Sequence, residues 1–209
     1  MFETATATLD WLGLIVFTIT GALVASRKEM DFVGFAVLGT ATGIGGGTLR
    51  DLLLGAPVFW TQRPSALLAC LGISCAVFFC AHIPQSRYRT LVRLDALGLA
   101  LFAVAGAEKA IQAGAGSAVA VVMGVVTATF GGVIRDLLGG DSPVILSREI
   151  YASAAGAGAL TYVSLAALGA PRELALGSGF LVALLLRALS LRLGWTLPRY
   201  RPRARRPYS

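Results

Sequence analysis

The chain contains two copies of one sequence unit, and this duplication limits the folds available to it. Residues 9–55 align without a gap on residues 94–140, a constant offset of 85 positions, and 19 of the 47 aligned residues are identical. The clearest cluster, Gly-Gly-x-x-Arg-Asp-Leu-Leu-x-Gly, begins at Gly46 and again at Gly131. Apolar low-complexity sequence does not place charged residues in register, so we infer a true internal repeat.

Each unit carries three hydrophobic segments, and a seventh segment follows the second unit. Of the 209 residues, 56% are hydrophobic and 14% are charged, whereas soluble domains carry about 25% charged residues. The segments are residues 9–25, 32–54, 65–83, 94–113, 118–138, 150–168 and 174–193. Because a helix needs about 20 apolar residues to cross a bilayer, the sequence predicts an all-α membrane protein. We expect seven transmembrane helices in a single domain over residues 1–193.

The odd number of spans in each unit predicts that the two repeats are inverted. Repeat one covers about 9–83 and repeat two about 94–168, so they enter the membrane from opposite sides. Positively charged loops favour the cytoplasmic side. With the amino terminus outside, twelve Lys and Arg residues lie inside, and only Arg63, Lys109 and Arg172 lie outside. We therefore expect an external amino terminus and a cytoplasmic carboxyl terminus.

The net charge of +7 originates at the carboxyl-terminal end of the chain. Residues 187–209 contain seven Arg and no acidic residue. Residues 194–209 form a basic tail rich in Pro and Arg, which we expect to contact anionic lipid on the cytoplasmic leaflet. Since the excess cations are not spread over a folded face, no nucleic-acid partner is predicted.

The composition gives little support to enzymatic chemistry or to a bound cofactor. The chain has one His. Cys70, Cys75 and Cys80 are five residues apart, and each step turns about 140° around a helix, so they do not converge on one metal. We expect a protein that is not an enzyme and that has no cofactor or resident metal.

Glycines interrupt the second hydrophobic segment of each unit at mid-length. They are Gly45, Gly46 and Gly47 in the first unit and Gly131 and Gly132 in the second. Glycine costs about 1 kcal/mol in a helix interior, so the clusters predict a kink, an unwound segment or a close backbone approach. An opened backbone must line a cavity or lie inside protein, which favours a midplane site between the repeats. Alternatively, the glycines only allow close helix packing.

An Arg-Asp pair follows each glycine cluster within the hydrophobic segment. These residues are Arg50, Asp51, Arg135 and Asp136, and charges at membrane depth need partners or water. Neighbours in a helix point about 100° apart, so we expect pairing across the repeats, Arg50 with Asp136 and Arg135 with Asp51, with pairing to free carbonyl groups at the glycine breaks as the alternative. The charges either clamp the two halves together or also line a conduction path as pore or gate residues.

Hydroxyl groups lie beside the glycines, on Thr42, Thr48, Thr127 and Thr129. They are suited to contact a weakly held monovalent cation, or they bond back to their own helices. The residues alone do not separate these two roles.

Five further charged residues are expected near the ends of the spans. Asp10 and Asp95 are interpreted as helix caps. Glu108 and Lys109 are expected at the outer interface, and Arg187 is close enough to a helix end to extend towards the headgroups.

The repeated motif, with seven spans and inverted units, resembles the trimeric intracellular cation channel family in its bacterial branch. Residues 45–51 and 130–136 carry the most specific part of the resemblance, which covers nearly the whole chain. It implies a homotrimer in the bacterial inner membrane, with an hourglass-shaped pore in each subunit lined by the second and fifth helices. Potassium is the implied permeant ion. Phe130 in place of a third glycine suggests that the two breaks are not equivalent.

The sequence is also compatible with a second function. The same superfamily includes members described as glycine-transporter domains, and broken helices at a pseudo-twofold axis are typical of secondary transporters. A membrane scaffold without a pathway explains neither the paired breaks nor the paired charges. The sequence therefore favours a potassium channel, with a transporter of a small solute such as glycine as the alternative.

Overall fold

A computed structural model describes residues 2–81 and 87–198 of the chain. Those residues form eight α-helices, one 3₁₀ turn and one isolated bridge between Glu149 and Thr196. The helices are α1 (Phe2–Arg27), α2 (Phe32–Leu53), α3 (Phe59–Gln62), α4 (Ser65–Cys80), α5 (Arg87–Gln112), α6 (Ser117–Leu138), α7 (Ala152–Ala167) and α8 (Arg172–Leu193), and the turn is Val144–Leu146. The predicted all-helical class is confirmed.

Each of the seven predicted hydrophobic segments coincides with one helix, and α3 is an additional short helix. Helices α1 and α5 each begin seven residues earlier than their segments. The short helix α3 and the 3₁₀ turn begin at equivalent positions of the two repeats. Residues 82–83 of the third segment and 199–209 of the basic tail lie outside the described residues.

Five helices, α1, α2, α5, α6 and α8, are long and apolar enough to cross a membrane. Helices α4 and α7 have 16 residues each, which is about 24 Å of helix against a hydrocarbon core of about 30 Å. Large apolar side chains such as Leu68, Leu160 and Leu185 point outward. The chain is therefore a helical membrane protein whose outer surface suits lipid rather than water.

Helices α1 and α5, the first helix of each repeat, pack against each other through equivalent residues. Phe17 and Phe102, which are 85 positions apart, stack with their ring centroids 5.3 Å apart. A Cβ atom on Gly13 would lie 2.5 Å from Cε1 of Phe102, and one on Gly98 would lie 3.2 Å from the ring of Phe17. These contacts are reciprocal, as in a self-complementary twofold interface.

Helices α2 and α6 cross where a glycine of each helix meets the backbone of the other. A Cβ atom on Gly131 would lie 2.6 Å from the carbonyl oxygen of Thr42, and one on Gly46 would lie closer still to that of Thr127. Both distances are below 3.0 Å, so only glycine fits without a shift. The backbone is α-helical throughout both elements. Of the predicted outcomes, the close backbone approach is the one observed, and neither helix contains an unwound segment at the glycines.

The other three glycines of the predicted breaks face side chains. A Cβ atom would lie 2.5 Å from Ile134 at Gly45, 2.8 Å from Phe59 at Gly47 and 2.8 Å from the Tyr151 hydroxyl at Gly132. All five predicted glycines are thus packing positions in continuous helices.

Helices α2 and α6 end in the same kind of turn. Gly55 and Gly140 have φ angles of 64° and 72°, a left-handed conformation that costs other residues about 1–2 kcal/mol. In each turn the next amide donates to the carbonyl oxygen of the motif Asp, at 2.9 and 2.8 Å. The chain therefore turns back directly beside the Arg-Asp pair.

Candidate functional site

The first charge cluster surrounds Arg50 near the end of α2. Its side chain is fully buried, and its guanidinium contacts two carboxylates. Nη1 donates to Oδ1 of Asp10 on α1 at 2.7 Å, and Nε donates to Oδ1 of Asp51 at 2.9 Å. Buried charges persist when they are paired and hydrogen-bonded. The rigid fork of Arg donors allows one cation to serve both carboxylates.

Two further groups hold Asp51. Its Oδ2 accepts a hydrogen bond from the backbone N–H of Phe59 at 2.9 Å. Its Oδ1 lies 2.9 Å from Nζ of Lys109 on α5. Lys109 belongs to the second repeat, so this ion pair joins the two repeats. We define the first charge cluster as Asp10, Arg50, Asp51 and Lys109, in which two formal cations balance two carboxylates.

The second charge cluster surrounds Arg135 near the end of α6. Nη1 donates to Oδ1 of Asp95 on α5 at 2.6 Å, and Nε donates to Oδ1 of Asp136 at 2.9 Å. Oδ2 of Asp136 accepts from the backbone N–H of Val144 at 3.0 Å. The hydroxyl of Tyr151 donates to Asp95 at 3.4 Å. We define this cluster as Asp95, Arg135, Asp136 and Tyr151, with one formal cation for two carboxylates.

The two clusters share a framework and differ at one member each. Equivalent pairs, 85 positions apart, are Asp10 and Asp95, Arg50 and Arg135, Asp51 and Asp136, and the amide donors Phe59 and Val144. The counterpart of Lys109 is Val24, and the counterpart of Tyr151 is Ala66. The Arg with its two carboxylates is a property of the repeat, whereas Lys109 and Tyr151 belong to the second copy alone.

The predicted pairing of Arg50 with Asp136 and of Arg135 with Asp51 is wrong. Each Arg instead binds the carboxylate that follows it and a carboxylate on the first helix of its own repeat. Neighbouring Cβ atoms on a helix point apart, but the long Arg side chain folds back and its Nε reaches the carboxylate of the next residue. The ion pairs of the two arginines therefore bind the helices within each repeat, whereas Lys109 with Asp51 and Lys28 with Asp141 form ion pairs between the repeats.

The predicted role of Asp10 and Asp95 as helix caps is also wrong. Helices α1 and α5 begin at Phe2 and Arg87, so both carboxylates lie inside a helix, on the face that meets the Arg of the neighbouring helix. These are the functional residues that sequence reasoning misplaced. Both carboxylates repeat at the same offset of 85 as the Arg-Asp motif. That shared offset is the sequence signal that links Asp10 with Arg50 and Asp95 with Arg135.

Three charged residues expected at the interface take part in ion pairs in which one of the two partners is buried. Lys109 contacts the first charge cluster. Glu108 is buried and accepts from Arg172 at the start of α8. Arg187 is buried, and its Nη2 lies 2.7 Å from Oε2 of Glu149. The partners of these charged residues are distant in sequence. Their positions near helix ends therefore predicted contact with solvent rather than with an ion-pair partner.

The four predicted threonine hydroxyls bond back to their own helices. Thr42 donates to Leu38 and Thr127 to Met123, both at 2.6 Å, Thr48 donates to Ile44 at 2.8 Å, and Thr129 donates to Val125 at 2.9 Å. Of the two roles considered for these hydroxyls, the bond within the helix is the one observed.

Two cavities lie at opposite ends of α1. The first vestibule, of about 430 Å³, is bordered by Asp10, and the second, of about 720 Å³, is bordered by Val24 and Arg27. Helix α5 meets them in the reverse order, with Asp95 in the second vestibule and Lys109 in the first. Helices α1 and α5 therefore run in opposite directions between the vestibules, and each vestibule reaches one charge cluster.

The described part of the chain holds no group of three or more His, Cys, Asp or Glu side chains placed for a metal. Cys70 is buried and accepts a hydrogen bond from the Thr18 hydroxyl at 3.3 Å, while Cys80 is exposed. The chemistry available at the clusters is that of charge and hydrogen bonding.

The chain matches one family model twice. The model described as "Glycine transporter" covers residues 7–82 and again residues 92–167. The two matches begin 85 residues apart, which is the offset of the sequence repeat.

Individual relatives match over nearly their whole lengths. The UPF0126 inner membrane protein YadS of Escherichia coli strain K12 is 39% identical over 195 residues, which are 92% of this chain and 94% of that protein. The crystal structure of the TRIC trimeric intracellular cation channel orthologue from Rhodobacter sphaeroides is 64% identical with a TM-score of 0.89, covering 92% of this chain and all of that one. A second structure, of a TRIC cation channel, is 37% identical with a TM-score of 0.84, covering 95% and 98%.

The apolar helices and the two charge clusters buried among them define the chain as a membrane protein with several helices. The chain belongs to the trimeric intracellular cation (TRIC) channel family, whose family model carries the description Glycine transporter. The resemblance inferred from the repeated Arg-Asp motif is confirmed. These relatives are membrane proteins and channels, not enzymes.

Proposed function

We propose that this protein is a cation channel that passes potassium through a pathway inside each subunit. The observation that carries the proposal is the pair of vestibules at opposite ends of α1 and α5. Asp10 borders the first vestibule and Asp95 the second. A carboxylate at the wall of a water-filled cavity raises the local concentration of cations. The relatives described as TRIC cation channels support the same function.

The arginines of the two clusters must not repel a passing cation. Arg50 and Arg135 each contact two carboxylates, so neither presents an uncompensated positive charge to the vestibules. Arg50 and Arg135, with Asp51 and Asp136, form the framework that holds the mouth of each vestibule, and the carboxylates on α1 and α5 face the ions.

The gate lies at the crossing of α2 and α6, between the two clusters. Gly46 precedes Arg50 by about one turn of α2, and Gly131 precedes Arg135 by about one turn of α6. The backbones are in contact at these glycines, which leaves no room for a hydrated ion. Conduction therefore requires α2 and α6 to separate there, and the carbonyl oxygens at the crossing then face the ion, beside the threonines of both helices.

The seven longer helices cross the membrane as two inverted repeats and a final span. The opposite directions of α1 and α5 and the reciprocal contact of Phe17 with Phe102 support the inversion. The second vestibule is bordered by Arg27, Arg89 and Arg93, so the positive-inside rule assigns it to the cytoplasm. The amino terminus is then outside, and the relative YadS is described as an inner membrane protein.

Three copies assemble, each with its own pathway. The Rhodobacter sphaeroides relative is described as trimeric, and the exposed leucines on the outer helices supply apolar surface for subunit contacts and lipid. The basic tail, of which residues 199–209 lie outside the described part, binds anionic lipid on the cytoplasmic side. Chemical crosslinking in mild detergent should stop at the trimer, and a fully conducting monomer would contradict this assembly as a requirement.

Recordings in a planar bilayer test the function. Purified protein under a potassium chloride gradient should give unitary currents that reverse near the potassium equilibrium potential. The Gly46→Leu variant tests the crossing, because a bulky side chain there forces α2 and α6 apart and should therefore change the unitary currents. Saturable uptake of glycine into vesicles without unitary currents would instead identify a transporter.

A further inference from the structure

Exposed arginine side chains from three helices meet at the second vestibule. Arg27 lies in the last turn of α1, Arg192 in the last turn of α8, and Arg89 and Arg93 near the start of α5. Arg89 and Arg93 are four residues apart and therefore lie on one face of α5, where like charges destabilise a helix. The guanidinium carbon of Arg27 lies 5.1 Å from the centroid of the Tyr88 ring, which places a third cation beside the start of α5.

Every carboxylate that borders the second vestibule already has a cationic partner. The distances from carboxylate oxygen to nitrogen lie between 2.6 and 2.9 Å, and the pairs are Asp95 and Asp136 with Arg135, Asp141 with Lys28, and Glu149 with Arg187. Asp141 and Glu149 are 39% and 40% exposed, but each faces a cation of its own. The acidic groups of this cavity are thus matched by other cations than the four exposed arginines.

Three of the four exposed arginines have no acidic partner. Among the described residues, no ion pair joins Arg27, Arg93 or Arg192 to a carboxylate. Residues 82–86 and 199–209, which lie outside the described part, contain no Asp or Glu, and the second segment adds five arginines. Glu3 lies at the beginning of α1, at the opposite end from Arg27. The second vestibule therefore carries a surplus of positive charge.

The first vestibule has a smaller surplus. Its charged wall residues are Asp10, Arg63 and Lys109. Asp10 and Lys109 belong to the first charge cluster, in which the formal charges balance, so Arg63 alone is added to that cluster. A surplus supplied by several helices is a property of the second vestibule.

We propose that the second vestibule binds a phosphate group, held by Arg93 and Arg192, with Arg27 and Arg89 beside it. The planar fork of Arg donors matches the oxygens of a phosphate, and these charge-assisted hydrogen bonds are strong. A phosphate offers more acceptor oxygens and more charge than a carboxylate, which suits arginines that approach from three helices. The group is supplied by a soluble anion or by the head group of an anionic lipid, since basic pockets between membrane helices bind such head groups.

The bound phosphate has a consequence for cation entry. Unmatched arginines at the mouth of a cation pathway lower the local concentration of potassium, and a bound anion offsets them. Phosphate at the second vestibule should therefore increase the current that enters there. This consequence rests on the proposed channel function, whereas the binding does not.

Binding is measured first, without reference to conduction. Equilibrium dialysis of the full chain in a neutral detergent, with radiolabelled inorganic phosphate at constant ionic strength, should show saturable binding. Arg93→Gln and Arg192→Gln should each raise the dissociation constant by about tenfold, because each removes charge-assisted hydrogen bonds. Arg148→Gln is the matched control, since Arg148 is exposed in the loop before α7 and does not border the vestibule. It should leave the dissociation constant unchanged, and equal weakening by Arg93→Gln and Arg148→Gln would overturn the site.

The source of the phosphate group is separated by changing the lipid. The full chain is placed in nanodiscs of phosphatidylcholine, either alone or mixed equally with phosphatidylglycerol. Phosphate binding that is the same in both discs supports a soluble anion, and binding that is lost with phosphatidylglycerol supports a lipid head group. The site is overturned if neither disc shows saturable phosphate binding and the wild-type protein retains no more phosphatidylglycerol than Arg93→Gln does, measured by mass spectrometry.

Planar bilayer recordings give the test of the effect on current. Replacing chloride by phosphate on the side of the second vestibule, at constant potassium activity, should raise the current entering there roughly twofold. Arg93→Gln should remove this dependence on phosphate. A wild-type response in Arg93→Gln overturns the proposed effect on current. Phosphate binding by a protein that carries no current supports the site and overturns the channel function instead.

Discussion

The two charge clusters use the same Arg with two carboxylates but complete it differently. The first takes Lys109 from the other repeat. The second takes Tyr151 from its own repeat and is supported by Arg187 of α8. Both repeats keep the two carboxylates that pair with the buried Arg, because a buried charge requires partners. The residues around this core have diverged. The shared residues show what the repeat needs to fold, and the different ones show where the two ends of the protein have acquired separate properties.

The largest effect is expected from removing Arg135. Arg135→Ala leaves two buried carboxylates without their shared cation, which costs about 3–5 kcal/mol. Arg50→Ala should cost less, because Lys109 still contacts Asp51. The two variants are compared by heating each in detergent and measuring the fraction that stays folded by size-exclusion chromatography. Equal losses would mean that Lys109 does not support the first cluster.

The glycine crossing should give the next largest effect, with a difference between the repeats. Gly46→Ala and Gly131→Ala each force a Cβ atom against a carbonyl oxygen, and overpacking of this kind costs about 1–3 kcal/mol. The loss should be larger at Gly46, where the approach is closer. Gly156→Ala is the control, because its nearest contact at 3.6 Å is ordinary. Thermal stability and unitary conductance are both measured, and wild-type values in both crossing variants would contradict the contact.

A smaller effect is expected from Lys109, whose side chain is 25% exposed. Lys109→Met should cost about 0.5–1 kcal/mol, since solvent weakens the pair. The informative quantity is the coupling energy between the Lys109 and Arg50 substitutions. In the Lys109→Met background, Arg50→Ala should be more destabilising by about 0.5–3 kcal/mol than in the wild-type background. Additive losses in the double variant would exclude a shared role in the first cluster.

The smallest effect is expected from the equivalent threonines Thr42 and Thr127. Each hydroxyl donates to its own helix at 2.6 Å, so replacement by Val removes one hydrogen bond worth about 0.5 kcal/mol. Unitary conductance and the ratio of potassium to sodium permeability should stay at wild-type values. A changed permeability ratio in either variant would place that hydroxyl in contact with the permeating ion.

Much of the fold could be predicted because it depends on local pattern. Runs of apolar residues located the seven longer helices, and the repeat located Arg50 and Arg135. The partners of these charges could not be predicted, because they depend on how helices distant in sequence pack together. Asp10 is 40 residues from Arg50, and Lys109 and Asp51 lie in different repeats. Helix propensity also failed at Gly46, since a buried crossing keeps the helix intact despite the preference of glycine for other conformations.

Two residues of the second repeat differ strongly from their equivalents in the first. Lys109 replaces an apolar Val24, and Tyr151 replaces a small Ala66. Positions at which otherwise matching copies differ in charge or in volume are therefore a usable signal for functional asymmetry.

The stacked rings of Phe17 and Phe102 have a consequence for the history of the chain. A residue that touches its own counterpart is the mark of an isologous interface, the kind that joins two identical subunits. In a dimer of identical half-length chains, every substitution enters both halves, so a lysine or a tyrosine could not be added to one end alone. In this chain the two halves are encoded separately within one polypeptide, so each end can carry its own residues, as Lys109 and Tyr151 do.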